Sequence, residues 1–145
     1  MSPLPLGPFA VAPDGTLQPR QPERRPALRF SWRGRRCEAA LGPGALSLAA
    51  VAARVPSTAE PGADRPRAFE TVATLPDSLP PGWRLSLTPD HRIRLEADAP
   101  LAAPPTATSL IAEMVRFALA LDPYLERLET ACGTPAGPDA ALPAT

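Results

Sequence analysis

Between Pro80 and Cys132 the chain carries two different hydrophobic periods in immediate succession, and together they limit what it can fold into. The first has a period of two. Trp83, Leu85 and Leu87 alternate with Arg84, Ser86 and Thr88, and Ile93, Leu95 and Ala97 then alternate with Arg92, Arg94, Glu96 and Asp98. Such alternation describes strands with one face buried and one face wet. Pro89 and Asp90 lie between the two runs, where a fixed φ and a short carboxylate favour a turn. The segment therefore predicts a β-hairpin. On its wet face Arg84, Arg92, Arg94 and Glu96 can pair across the strands, each pair contributing about 0.2–1 kcal/mol.

The second pattern has a helical period. After a Pro-rich bridge from Pro100 to Pro105, Leu110, Met114, Phe117, Leu121 and Leu128 fall in one stripe at about 100° per residue, with Leu125 close by. Thr106 or Thr108 is a suitable N-cap, with Ser109 as an alternative boundary. Burying each large apolar side chain is worth about 1.5–3 kcal/mol, so the stripe must cover the apolar face of a sheet. Pro123 lacks the N–H that a helix interior needs, and Asp122 before it is a good cap, so a kink or restart is expected at Asp122. Gly133 supplies a C-terminal stop.

Ile111, Val115 and Leu119 form an additional apolar flank, about 100–180° round the wheel from Leu110. A helix packed on one sheet face needs a single stripe, so this flank is surplus. Two readings follow. The N-terminal stretch around Phe9 and Val11 folds back over it, or it is a partner-binding surface for another protein or a second copy of the chain.

The remaining sequence reads as further strands. Leu28, Phe30 and Trp32 alternate with Arg29, Ser31 and Arg33; Gly34 marks a turn, and Cys37, Ala39 and Leu41 point inward on the return. Ala45 to Val55 is assigned to a third strand despite its alanines, because it lies between turn signals. Arg67 to Leu75 is compatible with a strand or a short helix. Pro13-Asp14-Gly15 marks a turn in either a small hairpin or an extended lead-in. The expected fold class is α+β, an antiparallel β-meander sheet packed on one face by a long C-terminal α-helix. One domain is expected over residues 8–133, with a disordered N-terminus at 1–7 and a disordered Pro/Ala-rich tail at 134–145.

Composition narrows the function. The chain of 145 residues is formally neutral, which disfavours a general nucleic-acid binder that must displace counterions from phosphates. Arg20, Arg24, Arg25, Arg29, Arg33, Arg35 and Arg36 form a local basic cluster, read as a solvated strand face and loop. Cys37 and Cys132 have no CxxC spacing and are expected to be free thiols. Met1 to Val11 lacks the basic region of a signal peptide, and no apolar run is long enough for a membrane span, so a cytoplasmic setting is expected. The single histidine, His91, falls in the predicted turn. No catalytic residues, metal ligands or cofactor motif can be assigned, so the chain is expected not to be an enzyme.

The succession of strands, Trp83–Leu87, Pro89-Asp90, Ile93–Glu96 and a long helix ending in Asp122-Pro123-Tyr124-Leu125-Glu126-Arg127-Leu128 resembles the YbjN family. These are small bacterial α+β proteins linked to sensory-transduction regulation, with a fold similar to type III secretion chaperones. The resemblance implies binding of a protein partner and carries over no catalytic motif. The amphipathic N-terminal helix usual in that family is absent, since prolines interrupt Met1 to Pro26. The function expected is a small protein-interaction module, chaperone-like or regulatory. The alternative is a small-ligand-binding or accessory-subunit domain with a pocket between helix and sheet near Trp32, Trp83 and Phe117.

Overall fold

The computed structural model describes residues 4–21, 26–42, 44–57 and 64–132. Three short strands come first: β1 (Leu4–Leu6), β2 (Phe9–Val11) and β3 (Leu17–Pro19). They form an antiparallel sheet in that order. The turn before β3 is fixed by Asp14, whose carboxylate accepts the Thr16 N–H at 3.0 Å. Residues 4–6 were expected to lie in a disordered N-terminus. Instead they pair with β2, and Pro5 is tolerated because β1 is an edge strand that need not donate on its outer side. Gly7 forms the turn between β1 and β2, while residues 1–3 of that segment, the tail at 134–145 and the Gly133 stop lie outside the described residues.

The main sheet contains β4 (Ala27–Trp32), β5 (Arg35–Gly42), β6 (Ala45–Arg54), β7 (Trp83–Leu87) and β8 (Arg92–Pro100). Every pairing is antiparallel, in the order β4-β5-β6-β8-β7. The Ala-rich run is a strand, as expected. The sequential order breaks once, because β8 returns between β6 and β7. A helix, α1 (Arg65–Thr74), carries the chain from β6 to the far edge. This resolves the ambiguous segment: Asp64 caps it by accepting from the Arg67 N–H at 3.1 Å, and Pro66 stands in its first turn. Placing β7 on the edge leaves Leu87, expected to face inward, 41% exposed.

The long helix α2 (Ala107–Cys132) covers one face of the main sheet. Thr106 is its cap. Its hydroxyl accepts from the Ser109 N–H and the Ser109 hydroxyl accepts from the Thr106 N–H, both at 3.1 Å, a reciprocal capping box with serine at the third position. The helix passes through Pro123 without the restart expected at Asp122. Proline leaves the Leu119 carbonyl without its intrahelical donor, but Leu119 is exposed and water can serve that oxygen. A 3-10 turn (Leu75–Ser78) follows α1 and is tied to α2, where the Tyr124 hydroxyl donates to the Ser78 carbonyl at 3.1 Å and Arg127 donates to the Ser78 hydroxyl at 2.8 Å.

The core lies between sheet and helices. Ile93 and Leu95 meet Leu110, Leu121, Leu125 and Leu128 there, all of them fully buried. Alanines at 50, 52 and 53 on the central strand leave room for this layer to approach. Trp83 is half-buried, with its ring 5.1 Å from that of Phe117 and 5.8 Å from that of Tyr124. The small sheet closes the end of α2: Leu17 donates to the Pro105 carbonyl and Ala107 to the Gly15 carbonyl, each at 2.8 Å. Phe9 and Leu17 enter the core through these bonds. Gly7 touches β4 so closely that an added Cβ would lie 2.6 Å from Leu28 Cδ1.

Phe117 joins both layers and is 3% exposed. Phe117→Ala is expected to destabilise the fold by about 3–5 kcal/mol, read from urea or guanidinium unfolding.

Candidate partner-binding surface on the long helix

The rotation of α2 decides which residues it presents, and the turn between β4 and β5 sets that rotation. Arg33 and Gly34 both have positive φ, 51° and 77°, the geometry of a two-residue type I′ hairpin. The turn projects three side chains onto the second half of α2. The Trp32 indole N–H donates to Asp122 Oδ1 at 2.8 Å. Arg33 lies 3.5 Å from Asp122 and 3.6 Å from Glu129. Arg35 places Nη2 2.8 Å from Glu129 Oε1, while its Nε donates to the Ala52 carbonyl and its Nη1 to the Arg33 carbonyl.

Arg35 is 3% exposed, which corrects its assignment to a solvated basic cluster. Each of the three guanidinium nitrogens has an acceptor, so the buried charge is offset by two backbone carbonyls and one carboxylate. Arg24 and Arg25 of that cluster lie outside the described residues; Arg29 and Arg36 are exposed.

At about 100° per residue, Glu129 stands directly in line with Ile111, and Asp122 about 20° away. One side of α2 is therefore polar and docked in its second half, and apolar in its first. The hairpin turn reaches only the docked half. Ile111, Val115 and Leu119 remain 46%, 50% and 57% exposed. They follow at four-residue spacing over about 12 Å of helix. Coverage by Phe9 and Val11 does not occur: Phe9 is buried in the core and Val11 packs against it. A salt bridge between Glu113 and Arg116 lies further round the same helix.

Among the described residues, the space near Trp83 and Phe117 is a small depression and not a ligand chamber. Trp32 is engaged by Asp122, and Trp83 stacks against Phe117. The depression beside them, lined by residues including Trp83, Ala97, Glu113, Arg116 and Phe117, measures about 160 Å³. Small-molecule sites usually measure about 300–1,000 Å³.

Chemistry-bearing residues are dispersed. His91 is exposed in the β7–β8 turn with φ 63°. No group of three or more potential metal ligands occurs among the described residues. Both cysteines are free thiols. Burial pushes the Cys37 thiol up from 9.0 to about 11, and burial also raises that of Cys132. Both are protonated near neutral pH, which disfavours nucleophilic chemistry.

The architecture has a solved counterpart. It is similar to a chain in the heterodimeric ExoU–SpcU complex from the type III secretion system of Pseudomonas aeruginosa, with a TM-score of 0.50 and 14% identity, covering 79% of this chain and 89% of that one. At that identity the likeness is one of fold. No family model matches the sequence, and no curated relative matches it. No helix among the described residues is long and apolar enough to cross a membrane.

Two outcomes test this geometry. Arg35→Ala removes the bonds to the Ala52 and Arg33 carbonyls and leaves Glu129 only its longer contact with Arg33, and is expected to cost about 2–4 kcal/mol. Replacing the pair together, as Arg35→Met with Glu129→Leu, is expected to recover much of that loss in the same unfolding assay. Cys37 gives a pH signature. Its folded pKa is raised, so its contribution is complete below pH 9 and is lost as pH rises through about 11. The loss is expected to be about 2–3 kcal/mol, and absent from the alkaline stability profile of Cys37→Ala.

Proposed function

We propose that the chain is a small protein-interaction module, chaperone-like or regulatory in kind, without catalytic activity of its own. Its partner docks on α2 over Ile111, Val115 and Leu119. The observation that carries this is the apolar stripe that the described residues leave exposed on a helix whose adjoining face packs into the core. Exposed aliphatic residues scattered singly mean little, whereas a contiguous patch on a folded chain commonly marks an interface.

Magnitudes set the extent of the surface. A specific interface buries about 800 Å² on each partner, more than these three side chains can offer. The stripe is therefore the apolar centre, and the flanking polar groups of Arg33, Asp122 and Arg116 belong to the rim. The occupant is a second copy of the chain or a client protein. The type III secretion counterpart supports the chaperone-like reading at the level of fold, and the YbjN-like pattern supports the regulatory one. A cytoplasmic setting suits two protonated, unpaired thiols.

The test is the double substitution Val115→Glu with Leu119→Glu. Both side chains are half exposed, so the new carboxylates reach water and stability is expected to change by less than about 1 kcal/mol. Self-association by light scattering, or capture of the host partner, is expected to disappear. A folded variant that keeps its mass and its captured partners would sink the proposal.

A further inference from the structure

The face of the main sheet opposite α2 carries a second feature, unrelated to the helix stripe. Its side chains alternate with the buried set. Around Val51 the outward residues are Arg36 on β5, Arg94 on β8 and Arg29 on β4. Together with Glu38 and Ala49 they line a shallow trough of about 240 Å³. Arg54 and Arg92 face each other across β6 and β8 just beyond it.

A β-bulge produces this arrangement. The register slips between Val51 and Ala53, which keeps Ala53 inward opposite Ile93 and turns Arg54 outward opposite Arg92. Like charges directly opposite one another on neighbouring strands cost stability. Asp90 offsets part of this by pairing with Arg92 at 2.9 Å. The acidic side chains of the same face begin one row from Arg36 and Arg94: Glu38 opposite Arg29, Glu96 bound by Arg94 and Arg84, and Asp98 bound by Arg84. The face is thus divided into a basic end and a mixed end, although the chain as a whole is formally neutral.

We propose that this trough binds an extended acidic segment of a partner protein, with carboxylates over Arg36 and Arg94. Those two arginines stand on either side of one intervening strand, so their backbones are about 10 Å apart. An extended chain of the polyproline II type repeats every three residues at about 3.1 Å each, which places acidic side chains at every third position on one side at nearly that spacing. The small Ala49 and half-buried Val51 give the backbone of such a segment a low floor to lie on. Arg94 donates through Nε to Glu96 at 2.8 Å, so this bond does not use its four terminal N–H groups.

The experiment uses the full chain and a fluorescein-labelled peptide of four Glu-Ser-Pro repeats, with four Gln-Ser-Pro repeats as control, followed by fluorescence anisotropy at low salt. The glutamate peptide is expected to bind and the glutamine peptide not. Arg36→Gln with Arg94→Gln is expected to weaken binding by about tenfold or more, as loss of charge-assisted hydrogen bonds implies. Circular dichroism and thermal melting establish that this variant is folded. Arg36→Gln alone, on an exposed side chain, keeps the test open if the double variant is not, and is expected to show at least a threefold loss. The variant Val115→Glu with Leu119→Glu is expected to bind the peptide as the parent does, which separates this surface from the helix stripe. The proposal is overturned by equal binding of both peptides, by undiminished binding to a folded arginine variant, by loss of binding in the helix variant, or by a duplex oligonucleotide binding more tightly than the peptide.

Discussion

The contact between the β4–β5 turn and the second half of α2 is the constraint on which the presented surfaces depend. A guanidinium removed from water loses several kcal/mol of hydration, and only well-placed acceptors offset that loss. Arg35 finds them in two backbone carbonyls and Glu129, and Trp32 and Arg33 add bonds to Asp122. These directional bonds fix both the azimuth and the position of the helix along the sheet. Apolar packing beneath it, non-directional by nature, could accommodate neighbouring rotations at smaller cost.

Once that azimuth is fixed, the fate of the apolar flank follows. The side of α2 that carries Asp122 and Glu129 is the side that carries Ile111 one half-helix earlier. The hairpin turn is short and reaches only the acidic half. The small N-terminal sheet, held to the start of α2 by the bonds of Leu17 and Ala107, sends Phe9 into the core. Among the described residues nothing covers Ile111, Val115 and Leu119, and the same geometry that makes the fold specific leaves them available.

The opposite face of the sheet obeys a different logic. Its strands are held by backbone pairing and a packed inner side, so outward residues are free of core constraints. Charge can then be sorted by position, and the bulge between Val51 and Ala53 does the sorting at the basic end. The two surfaces lie on opposite layers of the sandwich, so occupation of one leaves the other open.

The sequence by itself determined the elements that a one-dimensional period can encode. Alternation at 83–97 specified a hairpin, the 3.6-residue stripe from Leu110 to Leu128 specified a sheet-covering helix, and the surplus at Ile111, Val115 and Leu119 was legible as surplus. The weakly patterned pieces were not legible: β1 is three residues long, and α1 buries so few positions that no period emerges. Only the tertiary structure decided the rest. It inserted β8 between β6 and β7, because α1 carries the chain across the sheet. It kept α2 continuous through Pro123, because the orphaned carbonyl faces water. It converted Arg35 from one arginine in a basic run to a buried anchor, because Glu129, remote in sequence, supplies the counter-charge. Whether the flank was covered depended on where Phe9 was held, and that is a long-range contact that no local pattern contains.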